Sequence, residues 1–330
     1  MMIKMEYTKL GNTGLDVSRI CLGTMSFGDP KNWIHKWVLE EEDSRPLIKR
    51  ALELGINFFD TANVYSLGRS EEILGQALKD YANRDEIVLA TKVHQKMFDG
   101  PNGQGLSRKA IMSQIDQSLN RLQTDYVDLY IIHRWDPFTP IEETMEALND
   151  VVKAGKARYI GASAMYAYQF QKANNIAEKN GWTKFVSMQN HLNLIYREEE
   201  REMIPYCLSE KIALTPYSPM ASGRLIRSAT EVTKRSTTDN AQKAKYDETA
   251  DKDQMIIDRV AELAAKYETN KVNIALGWLL QKNPVVAPVI GATKMNHIET
   301  AVGAVDFKLS QADIFYLEEP YIPHKVIGHA

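Results

Sequence analysis

Asp60 follows Asn-Phe-Phe, Lys92 follows Leu-Ala-Thr, His133 follows Tyr-Ile-Ile and Gln189 follows Val-Ser-Met. Each of these polar residues therefore ends a run of strand-forming ones, and Tyr65 lies shortly beyond Asp60. If their strands are neighbours, Asp60 and Lys92 form an ion pair. A lysine beside a phenol favours phenolate and lowers a tyrosine pKa from its ordinary value of about 10. Such a phenol suits proton donation to a carbonyl oxygen that is becoming an alkoxide. His133 can donate a hydrogen bond to the same oxygen and orient it. The set forms a proton relay for carbonyl reduction and holds no hydride source, which calls for a nicotinamide cofactor. The rival chemistry is a Schiff base on Lys92, as in aldolases. Asp60 argues against it, because a neighbouring carboxylate keeps the lysine protonated.

The elements that must position these groups alternate regularly. Strand-like runs occupy Ile20 to Thr24, Asn57 to Ala62, Ile87 to Val93, Val127 to His133, Ala157 to Ser163, Phe185 to Asn190, Ile212 to Ser218 and Val286 to Ala292. Helical patterns fall between them. Ser107 to Gln123 carries Ile111, Ile115, Leu119 and Leu122 at helical spacing behind a Ser107 N-cap. A helix starting at Ile141 stops near Gly155, and Gly55 and Gly181 close helices before strands. Apolar strands alternating with helices imply parallel strands covered on the outside. Eight such units predict a closed α/β barrel, a (β/α)8 TIM barrel, with its site at the carboxyl ends of the strands. The interval from Tyr217 to Gly291 is far longer than the others, so it holds an insertion at residues 221–253, followed by helices at Asp253 to Glu268 and Lys271 to Lys282. The segment KLGNTGLDVSRI reads as an N-terminal hairpin able to plug the barrel bottom, and Ser310 to Glu319 as a further outer helix.

The chain has 330 residues, with 40 Lys and Arg against 43 Asp and Glu, for a net charge of −3. That balance speaks against nucleic acid or a membrane surface as partner, since both reward a basic excess. The longest run without a charged residue, Tyr159 to Gln171, is too short and too polar to span a bilayer. The opening residues lack the apolar core of a secretory leader, and Cys21 and Cys207 make no disulfide framework or structural zinc site. A reduced, cytoplasmic protein forming a single domain is expected, and its oligomeric state is left open. The sequence has no Walker A, HExxH, GxSxG or paired CxxC motif, and no GxGxxG follows a strand. The histidines lack metal-ligand spacing.

The run INFFDTANVYSLGRSEEILGQAL, Ile56 to Leu78, closely resembles the aldo-keto reductase signature around its catalytic aspartate and tyrosine. The resemblance extends from Tyr7 to about Tyr321 and implies a catalytic tetrad of Asp60, Tyr65, Lys92 and His133. It implies an oxidoreductase that reduces aldehydes or ketones with NADP(H), a small-molecule carbonyl compound being the partner. ICLGTMSFG puts Gly23, Thr24 and Met25 near substrate and nicotinamide, and Asp60 also borders the cofactor. Ser163 and Gln189 match the pair that holds the carboxamide, and Tyr217 the aromatic ring that stacks on nicotinamide. Ser218, Pro219, Met220, Ser222 and Gly223, with Arg224 or Arg227, fall where the family's loop crosses the pyrophosphate. PVIGATKMNHIE brings Gly291, Thr293, Lys294 and His297 to the adenosine end. The sequence departs from the family pattern in having Ala164 where many members have Asn, Thr300 and Ala301 where Glu and Asn often meet adenine, and Lys294 and His297 around the 2′-phosphate. A lysine pairs well with a phosphate, so NADPH is expected over NADH.

EALNDVVKAGKARYIGAS and the RWD after His133 resemble the bacterial branch related to potassium-channel β-subunits. That likeness admits a cofactor-loaded redox sensor, or a link to deoxyxylulose 5-phosphate metabolism, as alternatives. The substrate pocket is expected to be lined by Met25, Phe27, Trp33, Tyr65, His133 and Trp135, with Trp37 completing an aromatic wall. Arg134 and Arg69 are placed to attract an anionic group. The insertion, with Arg224, Arg227, Lys234 and Arg235, reads as a flexible basic lid over the dinucleotide.

Overall fold

The computed structural model describes residues 5–227 and 233–329. The hairpin strands β1 (Tyr7–Lys9) and β2 (Asp16–Ser18) pair antiparallel. Then come β3 (Cys21–Gly23), β4 (Phe58–Asp60), β5 (Val88–Val93), β6 (Val127–Ile132), β7 (Ala157–Ser163), β8 (Phe185–Gln189), β9 (Ala213–Leu214) and β10 (Val289–Gly291). They form one parallel 8-stranded sheet in the order β10-β3-β4-β5-β6-β7-β8-β9. Isolated parallel bridges from Leu214 to Val285 and from Tyr217 to Val289 join its two ends. The barrel is closed, as the alternation predicts. Its last two strands are shorter than the apolar runs because Pro216 and Pro288 lack an N–H to give to a ladder. Pro216 still contributes by accepting from the Val289 N–H at 2.9 Å.

Side chains alternate across each strand, and this sorts the barrel interior by depth. Cys21, Phe58, Val88, Ala90, Leu129 and Ile131 fill its lower part, together with Leu10 and Val17 from the hairpin. The hairpin is therefore a plug. At Gly11, with φ +59°, a Cβ would lie 2.8 Å from both Ala213 N and Lys211 O, so only glycine lets the turn seat against these strands. One inward step higher, the same strands present Asp60 and Lys92.

The helices are α1 (Glu41–Glu53), α2 (Arg69–Tyr81), α3 (Arg108–Leu122), α4 (Ile141–Lys153), α5 (Ala167–Asn180), α6 (Met203–Ser209), α7 (Lys234–Thr238), α8 (Asn240–Tyr246), α9 (Ala250–Lys266), α10 (Lys271–Leu280), α11 (Met295–Gly303) and α12 (Gln311–Glu318). Ser107 caps α3 as expected, accepting from Ala110 N at 3.2 Å. The insertion contributes α7 and α8, and residues 228–232 of it lie outside the described part. Its folded remainder is clasped to the barrel. Tyr246 and His191 share a 2.7 Å hydrogen bond, and the Arg235 guanidinium lies 4.2 Å above the Trp37 ring. Among the described residues no helix is long and apolar enough to cross a membrane.

After α12 the chain runs back over the carboxyl face, a course with no counterpart in the sequence reading. His324 meets Asp253 at 2.9 Å and gives its backbone N–H to Glu198 at 2.7 Å. Ile327 N donates to Tyr196 Oη at 2.9 Å, and His329 meets Glu199 at 3.0 Å. A Cβ on Gly328 would lie 3.3 Å from Tyr217 Oη and 3.9 Å from Arg134 Nη2.

Two stability predictions follow from this packing. At Gly75 on α2 a Cβ would stand 2.5 Å from the Leu122 carbonyl oxygen and 2.6 Å from its Cα, so α2 and α3 touch through backbone. Gly75→Ala forces them apart and should cost about 1–3 kcal/mol, read as a lower urea midpoint. Burial works against a charged His324, yet Asp253 and Glu198 outweigh it and raise its pKa. Its stabilisation is then full below the unfolded value of about 6.5 and fades as pH rises through the folded one. The Tm lost in His324→Ala should accordingly be largest near about pH 6 and shrink towards about pH 9.

Candidate active site

Lys92 is fully buried, Asp60 is 2 % exposed, and their strands β5 and β4 are neighbours. The Lys92 ammonium donates to Asp60 Oδ1 at 2.5 Å, to Thr61 O at 2.8 Å and to Tyr65 Oη at 3.2 Å. All three ammonium hydrogens thus have acceptors, which is what a buried charge requires. The second Asp60 oxygen accepts from Gln189 Nε2 at 2.9 Å. Thr24 N and Oγ1 hold the Asp60 carbonyl at 2.8 and 3.2 Å, and the Thr24 hydroxyl also meets Ser70.

Tyr65 opens a short turn, Tyr65–Gly68, in which Ser66 and Leu67 take left-handed φ values of 48° and 52°. That reversal returns the tyrosine over the strand end. Its ring stands at 80° to the His133 ring with centroids 5.8 Å apart. His133 follows β6, and its N–H donates to Val93 O at 2.8 Å. Its Nδ1 is buried without a hydrogen-bond partner. The four residues inferred from the sequence therefore meet at one place.

Their protonation differs from the simplest expectation in one respect. Burial works against a charge on Lys92, but Asp60 and Tyr65 outweigh it and hold the ammonium above its ordinary value. A protonated lysine is not a Schiff-base nucleophile, which disposes of the aldolase chemistry. The Tyr65 phenol is pushed up by burial, with Lys92 only partly opposing, so it is not lowered as the sequence suggests. The reason is that Asp60 offsets the field of Lys92 while water is excluded from the phenol. His133 is held well below its ordinary value by burial and by Lys92, Arg134 and His94. At neutral pH the site thus carries a neutral phenol and a neutral imidazole beside one ammonium.

Tyr217 heads the residues expected to meet the dinucleotide. Its ring stacks on His191 at 5.1 Å and 10°, and His191 stacks on Tyr196 at 4.1 Å. The Tyr217 hydroxyl is buried with no partner, and burial raises its pKa to about 12 although Arg134 pulls it down. Ser163 Oγ donates to the Gln189 carbonyl at 2.8 Å, so this pair is braced to the tetrad. Ala164 beside it has φ 45°, a conformation in which Asn is more at ease than Ala. From Ser218 to Gly223 the loop turns through left-handed φ at Ser218, Ala221, Ser222 and Gly223, with Pro219 buried and Met220 half-buried.

Arg227 braces that loop through Ser222 O and Thr233 Oγ1, at 2.8 and 3.0 Å. Arg224 pairs with Asp247. At the far end Gly291 is exposed, and a Cβ there would meet nothing within 4 Å. Thr293 N donates to His297 Nδ1 at 3.3 Å. The exposed Lys294 precedes α11, whose first turn has no acidic residue. A helix N-terminus free of acids and flanked by a lysine suits a phosphate. A flat aromatic ring with an unmatched hydroxyl and a helix end free of acids fit the groups of a nicotinamide dinucleotide.

Some placements differ from the sequence reading. Phe27 is fully buried in the outer core and bridges backbone to Leu39, so it does not line a pocket. Thr24 is equally buried and acts on the Asp60 backbone instead of facing a ligand. Trp37 lies under Arg235 and is 6 % exposed, which takes it out of the aromatic wall. Met25, Trp33 and Trp135 remain half-buried. Arg69 is tied to Glu41 and Glu72, at 2.6 and 2.9 Å, and is not free for an anion. Sequence reasoning misses Lys245, whose ammonium lies 5.0 Å from the Tyr217 ring centre. Burial, and then Arg134, lower its pKa to about 8.

The pattern of the aldo/keto reductase family matches residues 19–322. Versiconal hemiacetal acetate reductase of Aspergillus parasiticus is 47% identical, over 98% of this chain and 98% of its own length. A protein named as an aryl-alcohol dehydrogenase of Schizosaccharomyces pombe is 46% identical, over 98% and 97%. An aldo-keto reductase of Fusarium vanettenii is 43% identical, over 99% and 94%. These relatives are fungal reductases and dehydrogenases and give no support to the bacterial branch related to channel β-subunits. With the tetrad assembled at the top of a closed barrel and the family pattern spanning nearly its whole length, the chain belongs to the aldo/keto reductase family.

Proposed function

We propose that the protein reduces aldehydes or ketones to alcohols with NADPH, with Tyr65 as proton donor. The observation that carries this reading is the Lys92 ammonium held between the Asp60 carboxylate and the Tyr65 hydroxyl, at 2.5 and 3.2 Å. When bound, the dinucleotide supplies a hydride to the carbonyl carbon. Tyr217 would stack on its nicotinamide, Ser163 and Gln189 would hold the carboxamide, and Lys294 with the start of α11 would take the 2′-phosphate.

The chain's own part is the proton. Tyr65 is kept neutral by burial, so the donor is loaded at neutral pH. As the substrate carbon gains hydride, its oxygen gains negative charge. The Tyr65 O–H bond then breaks and an alcohol O–H bond forms, leaving a phenolate beside Lys92. The ammonium stabilises that phenolate more than the phenol, so its benefit grows along the reaction. His133, neutral and set at 80° to the Tyr65 ring, orients the oxygen. Asp60 keeps Lys92 charged and fixed. The names of the relatives from Aspergillus and Schizosaccharomyces, together with the half-buried Trp33 and Trp135, favour aromatic carbonyl compounds as substrates.

Tyr65→Phe removes the donated proton and leaves the ring in place. Reduction of 4-nitrobenzaldehyde should fall by about 10²–10⁴ while NADPH binding, followed by tryptophan fluorescence, stays within about twofold. Normal turnover in this variant would remove Tyr65 from the role. Lys294→Ala should narrow the ratio of kcat/KM for NADPH over NADH by about tenfold, by loss of one charge-assisted contact. An unchanged ratio would take Lys294 out of cofactor selection.

A further inference from the structure

We propose that Arg134 and Lys245 form a subsite for an anionic group, a carboxylate carried by the carbonyl substrate. This rests on the reductase reading and specifies the substrate class. The two cations come from separate elements, Arg134 from the residue after the site histidine and Lys245 from α8 of the insertion. They converge around one ring. The Lys245 ammonium lies 5.0 Å from the centre of the Tyr217 ring. The point 3.9 Å from Arg134 Nη2, where a Gly328 Cβ would stand, is 3.3 Å from the hydroxyl of the same tyrosine. That hydroxyl is buried and has no partner.

Neither cation has an ion-pair partner among the described residues, and the nearby acids are committed elsewhere. Asp136 accepts from Leu106 N, Phe138 N and Thr139 Oγ1 at 2.7–2.9 Å. Asp239 serves Arg235 and the N-terminus of α8, each at 3.0 Å. Glu199 takes His329 at 3.0 Å. The one bond drawn from Arg134 goes to the His133 carbonyl at 2.7 Å, which fixes the guanidinium without neutralising it. Two like charges thus border the same tyrosine, both half-buried and neither answered by a carboxylate, and an anion beside that ring relieves the repulsion.

The anion belongs to the substrate side. Arg134 follows His133 directly and donates to its carbonyl at 2.7 Å, which sets the guanidinium beside the residue that orients the substrate oxygen. A guanidinium and an ammonium bordering one tyrosine suit a carboxylate by charge-assisted hydrogen bonds.

The test compares 3- and 4-carboxybenzaldehyde with their neutral methyl esters, using NADPH. The wild type should prefer an acid over its ester by at least about tenfold in kcat/KM, mostly through KM. Arg134→Met and Lys245→Met should each cut that preference by about tenfold, while Lys245→Arg keeps most of it. Lys243→Met, at an exposed lysine of the same helix, should leave the preference unchanged. Calorimetric binding of benzoate to the NADP⁺-loaded protein gives the same comparison without turnover, with loss in the first two variants only. Esters reduced as well as acids by the wild type, or a preference intact in both Met variants, would overturn the subsite. So would a raised NADPH Kd in those variants with the preference intact, which assigns the cations to the cofactor. Absence of turnover with every aldehyde would instead sink the reductase reading, and the subsite with it.

Discussion

One buried ion pair governs the carboxyl face of this barrel. An ammonium with no exposed surface is tolerable only where every hydrogen finds an oxygen and a carboxylate answers the charge. Lys92 has that through Asp60, the Thr61 carbonyl and Tyr65. The requirement spreads outward. Asp60 needs Gln189 for its other oxygen, and Gln189 is steadied through Ser163. The Asp60 backbone is held by Thr24, and Thr24 by Ser70 at the start of α2. Five strands therefore have to keep their register for a single lysine to stay charged. The same constraint prepares the chemistry, since an ammonium fixed beside a phenol needs no rearrangement when the proton leaves.

The face is roofed by three segments that are remote in sequence. The loop after β3 brings Trp33, His35 and Trp37, the insertion brings Arg235, Asp239, Lys245 and Tyr246, and the C-terminal tail brings Gly328 and His329. An edge contact of 5.7 Å between Trp33 and His35 and a tilted one of 5.3 Å between His35 and Trp37 link the first set, and Arg235 over Trp37 joins it to the second. Among the described residues the side chains of Asp60, Tyr65 and Lys92 take their hydrogen bonds from one another, Thr61 and Gln189, and none from the roof, whose contribution to them is the exclusion of water.

The barrel and the tetrad were legible in the amino-acid sequence because both are written locally. A buried strand must be apolar, so Asp60, Lys92 and His133 stand out at its end, and an alternation of strands and helices leaves few topologies. The roof is legible only as a loop and an insertion able to cover the site, not in its contacts or in the tail that joins them. Lys243 and Lys245 sit two residues apart in one polar run, and only tertiary packing turns one outward and the other onto Tyr217. Phe27 and Trp37 look like pocket residues by type, but the turn taken by their loop buries both. The protonation of the Tyr65 phenol is not legible for a related reason. Its protonation depends on how completely water is excluded, which residue type and spacing do not encode.

Closure of the barrel also bears on how the chain is made. β3 pairs on one side with β4, close behind it in sequence, and on the other with β10, near the far end. Arg19 ties the same seam by donating to the carbonyls of Leu280, Val285 and Val286 at 2.5–3.0 Å. While the protein is being synthesised, one edge of the first barrel strand must wait unpaired until almost the whole polypeptide has left the ribosome. An open strand edge is the standard template for intermolecular pairing. The nascent chain is therefore most exposed to aggregation in the interval before Val289 to Gly291 emerge, and a chain truncated ahead of them would keep that open edge permanently.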